Sequence, residues 1–280
     1  MTALVPFLVI SFGLAWGILA LYLFLPEPMM ALFGQLSGQH PLFFVAVYAP
    51  AIAALITVGF IAGAAGLRRF LSRLLLWRTS PGWFLFLLFG VPLIYYASAA
   101  AQGLALSPPT PFATVSALLA ALFFMAIKGP VEEIGWRGLA LPLLQRRFAP
   151  FWAGLILGIV WGLWHLPAFL LSGTPQSEWS FAPFFLGAVA ISIIVTPMFN
   201  QSGGSILLPA LFHFQLINPI WPDAQPYDTV LFVAAAAVVV WIHRQALFNR
   251  PTAVTEVIPS HPGQGGTDRQ PDQDPKGCRG

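Results

Sequence analysis

Charge is scarce in this chain. Aspartate, glutamate, lysine and arginine together make up 8% of 280 residues, against 58% hydrophobic ones. Soluble domains devote roughly a quarter of their residues to charge, so an ordinary water-facing surface is excluded. Cysteine is almost absent too. The single Cys278 lies in a polar C-terminal stretch, which excludes an intrachain disulfide and a cysteine metal cluster. The formal net charge is +3, but the arginines are few and dispersed in short loops, so there is no basic patch for nucleic acid. The opening "MTALVPFLVISFGLAWGILALYLFLP" lacks a basic n-region and its apolar run is too long for a signal peptide. It reads as a retained first span.

What the chain does have is long apolar runs. A run of about 20 residues crosses a bilayer as a helix. Such windows fall at roughly 3–25, 41–65, 82–102, 111–145, 151–171, 181–198, 204–217 and 229–247. The expected fold class is therefore all-α, a polytopic membrane helical bundle of about eight transmembrane helices. The fourth window, at about 35 residues, exceeds one crossing and reads as one long helix kinked at Pro130 or as two pieces. The seventh is short and opens with "QSGGS", which suits a helix that begins inside the protein.

The loops sort by charge. Arg68, Arg69, Arg73 and Arg78 lie between spans two and three, Arg146 and Arg147 follow span four, and Arg244 and Arg250 follow span eight. Glu27, Glu178, Asp223 and Asp228 occupy the other loops, which have no lysine or arginine. With the N-terminus inside, every loop arginine falls on the cytoplasmic side, as the positive-inside rule requires. Splitting Phe112–Gln145 into two crossings would turn the later arginines outward, so one long helix is the better reading. Residues 1–249 are thus expected to form an integral membrane domain, in a bacterial inner or plasma membrane, with both termini cytoplasmic. Residues 250–280, including "PSHPGQGGTDRQPDQDPKGCRG", carry no apolar period and read as a disordered cytoplasmic tail holding His261 and Cys278.

Six ionisable residues remain at membrane depth: Lys128, Glu132, Glu133, Arg137, His165 and His213. His243, beside Arg244, reads as interfacial. A charge at the centre of a spanning helix costs about 2.5–3.5 kcal/mol, so a cluster there points to function. Counted from the cytoplasmic ends, Glu132, His165 and His213 lie about 14, 14 and 9 residues in, or roughly 21, 21 and 14 Å deep. Three helices therefore place a carboxylate and two imidazoles in one layer. Glu133 and Arg137, at i and i+4, are spaced for an ion pair. Glu132 points about 100° away, toward a cavity, with only Lys128 at i−4 as a local partner. A Glu133–Arg137 pair that merely helps helices pack is an equal alternative. Around His165, Gly158 and Gly162 permit close helix approach, and Trp161, Trp164 and Pro167 shape its surroundings.

A carboxylate and an imidazole held together can deprotonate a water for attack on a carbonyl, while a second imidazole or an amide donates to the oxyanion. No serine or cysteine motif favours a covalent route. Glu132, His165 and His213 also offer the donor types of a zinc site, but HExxH is absent. No cofactor is required, and a zinc ion remains an open alternative. Two other readings use the same cluster: a proton-coupled transporter, for which no paired broken helices are found, and a non-catalytic membrane scaffold or immunity protein.

"EEIGWR" resembles the EExxxR first motif of the CPBP (Abi) family of intramembrane proteases, which includes the type II CAAX prenyl endopeptidases. "WGLWH" is similar to its FxxxH motif, with Trp161 in place of phenylalanine, and "HFQLIN" to its third motif, a histidine followed four positions later by asparagine. The ordered trio covers about Met125 to Asn218; the first three spans carry no motif. The resemblance implies a CAAX-protease-like helical fold, a protease-like core at about 111–220, and a site inside the membrane reached from the cytoplasm. It implies that Glu132 activates water with help from His165, that His213 and the motif asparagine stabilise the oxyanion, and that Arg137 orders Glu133. Ile217 occupies the asparagine position; Asn218, one residue on, lies roughly 140° off the histidine's face unless the helix end is distorted near Pro219. The implied partners are the lipid bilayer and a peptide or lipidated protein substrate, with no nucleic acid. Bacterial members of the family are associated with peptide processing and immunity, so prenyl specificity does not carry over.

Overall fold

The computed structural model describes residues 2–104 and 112–260. Among the described residues every regular element is helical: α1 Leu4–Phe24, α2 Pro26–Phe33, α3 Pro41–Leu75, α4 Pro81–Ala101, α5 Val115–Gln145, α6 Pro150–Leu170, α7 Phe181–Gln201, α8 Leu207–Leu216 and α9 Tyr227–Phe248. Seven of these are long and apolar enough to cross a membrane. Large side chains such as Phe60, Leu88 and Trp241 stand exposed on them, as lipid-facing residues do. The protein is a polytopic helical membrane protein.

The eighth expected span is shorter than its window. α8 has ten residues, which at about 1.5 Å each is half a bilayer. The chain nevertheless changes ends there. The loop before α8 accepts the Arg73 Nε–H at the Gly204 carbonyl, 2.7 Å away. The segment after it meets the loop between α6 and α7, where the Trp179 indole donates to Asp223 Oδ2 at 2.9 Å. A half-helix followed by irregular backbone thus completes the crossing, buried in protein where its polar groups find partners. Tyr95 gives its hydroxyl proton to the Leu216 carbonyl (2.8 Å) and Gln215 its amide proton to the Leu87 carbonyl (2.9 Å).

The fourth expected span is one rod, α5, interrupted where proline removes an N–H donor. Gly129 precedes a 3₁₀ turn at Pro130–Glu132, and a π-turn follows at Trp136–Ala140. Near the break, Tyr48 of α3 donates to the Ile127 carbonyl at 2.6 Å. Helices in lipid associate through close packing more than through apolar burial, which makes small residues valuable at their contacts. On α6, a Cβ at Gly158 would lie 2.8 Å from Val189 Cα and one at Gly162 2.7 Å from Phe185 Cδ2, so both glycines admit α7. Trp136 of α5 is fully buried, edge-on to Phe7 and Trp164 at 5.5 and 5.8 Å.

Residues 250–260 are folded back onto the body: Gln145 donates to the Val254 carbonyl (2.8 Å), Arg146 to that of Thr255 (3.0 Å) and Arg73 to that of Val257 (3.0 Å). The acceptors are backbone carbonyls, which leave no mark in side-chain composition. The rest of the expected tail, 261–280 with His261 and Cys278, lies outside the described residues.

Candidate active site

The break in α5 turns its two carboxylates to different tasks. Glu132 lines a cavity of about 330 Å³ together with His165, His213 and Asn218, whereas Glu133 and Arg137 lie behind that wall. Arg137 Nη1 donates to Glu133 Oε1 at 2.9 Å, and both side chains are buried. The same Glu133 oxygen accepts from His213 Nδ1 at 2.8 Å. Glu133 therefore anchors the imidazole of α8 to α5 and leaves His213 Nε2 as the ring's free nitrogen. That nitrogen faces Gly129, where a Cβ would stand 2.8 Å from it.

Glu132 finds its partner on α6. The Trp161 indole N–H donates to Glu132 Oε2 at 2.9 Å. Lys128, the partner that i−4 spacing suggests, is turned away: its Nζ donates to the Gly38 carbonyl at 2.9 Å and lies 5.0 Å from the centre of the Phe43 ring. The carbonyl of Trp161 takes the proton of His165 Nδ1 at 2.8 Å. A carbonyl only accepts, so Nδ1 carries the hydrogen and neutral His165 presents Nε2 as an acceptor. The indole plane also packs under the Arg137 guanidinium at 4.9 Å and edge-on to His213 at 5.6 Å.

Trp161 is thus the hub of the cluster, contacting Glu132, Arg137, His165 and His213. Read as sequence, it was only a large residue where the motif has phenylalanine. Its N–H, the one difference in hydrogen-bonding capacity from phenylalanine, was the available signal. Asn218 reaches the cavity because α8 ends at Leu216. Its amide is occupied locally: Nδ2 donates to Gln215 Oε1 (3.0 Å) and Oδ1 accepts from the Ile220 N–H (3.1 Å). No bond joins it to His213 among the described residues. His243 lies apart from the cavity, stacked on Trp83 at 5.4 Å.

The open question of zinc can be put to the geometry. Among the described residues no three His, Cys, Asp or Glu side chains converge as metal ligands.

An all-helical membrane protein with a carboxylate and two imidazoles around one buried cavity is the class defined by this fold and site. Residues 112–217 match the family model of the type II CAAX prenyl endopeptidase Rce1-like proteins. The "CAAX prenyl protease 2" of Methanococcus maripaludis is 37% identical over 133 residues, which cover 43% of this chain and 49% of that protein. The chain spans about half the length of the curated relative it matches. Residues 112–217 are thus similar to the Rce1-like type II CAAX prenyl endopeptidases.

Proposed function

We propose that this protein is an intramembrane endopeptidase in which a water activated at Glu132 hydrolyses a peptide bond in a membrane-associated or lipidated peptide or protein. The observation that carries the reading is that Glu132, His165 and His213, from three separate helices, line one cavity. Glu132 takes a proton from water, the resulting hydroxide adds to the substrate carbonyl, and His165 Nε2 shares that proton and passes it to the leaving amine. His213 gives Nδ1–H to Glu133, which turns its Nε2 edge to the oxyanion as it forms. Arg137 supplies the positive charge that keeps Glu133 an acceptor. No step calls on a metal.

The relative's name includes a prenyl group. The predominantly apolar cavity walls, which include Leu19, Phe43 and Trp164, suit an attached lipid or an apolar side chain equally. The test is cleavage of a quenched, lipidated peptide series by purified protein in detergent, with and without a chelator. Cleavage that persists in chelator supports the reading. Chelator-sensitive cleavage would replace it with a metal mechanism, and cleavage no greater than that of a Glu132→Gln control would remove the enzyme altogether in favour of a scaffold or carrier.

Gly129 gives a second handle. A methyl group there would press on His213 Nε2 and on Ile217 Cδ1, 2.6 Å away. Overpacking of this kind costs about 1–3 kcal/mol, and each 1.4 kcal/mol lost from transition-state binding is about tenfold in rate. Gly129→Ala should therefore lower kcat about tenfold or more while the protein purifies normally. Unchanged turnover would mean that His213 Nε2 does not need its present position.

A further inference from the structure

The cavity and the loop arginines lie at opposite ends of the bundle. Helices running toward the arginine-bearing loops contribute their first turns to the cavity wall, through Phe43 of α3, Phe184 of α7 and Asp228 of α9. Helices running the other way contribute later turns, through Tyr95 of α4 and Ala168 of α6. Trp179 and Asp223, bonded to each other across two loops, stand at the rim. Every loop at this end lacks lysine and arginine.

The opposite end holds Arg68, Arg69, Arg73, Arg78, Arg146, Arg147, Arg244 and Arg250. It is stitched across. Arg73, buried, donates to the carbonyls of Gly138 (2.7 Å), Gly204 (2.7 Å) and Val257 (3.0 Å). Buried Gln145 exchanges hydrogen bonds with Asn200 at 2.7 and 2.9 Å, and Arg250 donates to the Arg146 carbonyl. A polar layer and the docked segment 253–258 therefore separate the cavity from the arginine-bearing end.

The positive-inside rule assigns the arginine-bearing end to the cytoplasm. From the two facts together we propose that the cavity opens on the non-cytoplasmic side of the membrane. Its substrate is then a peptide or lipid-linked segment presented on that side after export, in place of the C-terminus of a cytoplasmic protein. This reverses the cytoplasmic entry implied by the motif resemblance. The statement about substrate rests on the protease reading above; the statement about access does not.

Accessibility separates the two. In a Cys278→Ser background, which removes the single native cysteine, one cysteine is placed at Ser180, exposed at the cavity end, or at Arg147, exposed at the other. A membrane-impermeant maleimide applied to intact cells should label Ser180→Cys, and should label Arg147→Cys only after permeabilisation. The reverse pattern, or equal labelling of both in intact cells, overturns the proposal. A charged, impermeant peptide cleaved by the purified protein is then offered to sealed vesicles. Cleavage in right-side-out vesicles alone supports entry from the outer face, and cleavage in inverted vesicles alone overturns it. The expected labelling with no cleavage even by purified protein would uphold the access side and sink the protease reading.

Discussion

Replacing Glu132 by glutamine should abolish peptide hydrolysis while leaving the protein folded. Glutamine keeps the length of the side chain, and its carbonyl oxygen can still accept the Trp161 indole N–H that now binds Glu132 at 2.9 Å. Lys128 is not hydrogen-bonded to Glu132, its ammonium being held by the Gly38 carbonyl and the Phe43 ring. The substitution therefore removes a base and its charge while keeping the side chain's shape and its bond to Trp161. A positioned general base contributes about 10²–10⁴ in rate, so kcat should fall by about that factor with KM little altered. The measurement is steady-state cleavage alongside detergent gel filtration and circular dichroism, which should match wild type. Wild-type turnover in a folded Glu132→Gln protein would show that the water is activated elsewhere, and His213, backed by Glu133 as a carboxylate-oriented imidazole, would become the base.

The parts of this site that could be read from sequence are those set by helical spacing and by the cost of charge in lipid. Glu133 and Arg137 stand at i and i+4, and the pair forms at 2.9 Å despite the π-turn that begins at Trp136. The convergence of α5, α6 and α8 followed from depth along each span, because each helix rises by a constant amount per residue. What spacing does not encode is which partner a buried acceptor chooses. Glu132 is bonded to an indole on another helix in preference to the lysine one turn back on its own. His213 is tied to Glu133, a link between α8 and α5 that no local pattern records. Hydropathy windows report the transfer energy of a segment, and the apolar stretch containing α8 is the same whether all of it or ten residues of it are helical. The docking of residues 253–258 was equally hidden, since its acceptors are main-chain carbonyls. The charge asymmetry of the loops was in plain view, but the end at which the cavity opens required the packed helices.

Removing Arg137 should damage the protein as a structure before it damages it as a catalyst. The guanidinium and Glu133 are 1% and 2% exposed, and breaking one side of a buried pair costs about 3–5 kcal/mol because the remaining charge is stranded. Arg137→Met should therefore lower the unfolding midpoint in detergent markedly. The loss includes the stacking of the guanidinium on Trp161 at 4.9 Å, so the indole that holds Glu132 is loosened too. Substituting Glu133→Leu in the same protein removes the stranded carboxylate, and replacing a buried ion pair by apolar side chains is often neutral or stabilising. The double variant should regain most of the lost stability. It should not regain activity, because His213 Nδ1 then has no acceptor to fix its ring. Stability that recovers together with cleavage would show that Glu133 serves packing alone. Stability that never fell in Arg137→Met would mean that the pair is not desolvated as its burial indicates. Recovered stability without cleavage is the result expected if Glu133 orients the imidazole that meets the substrate.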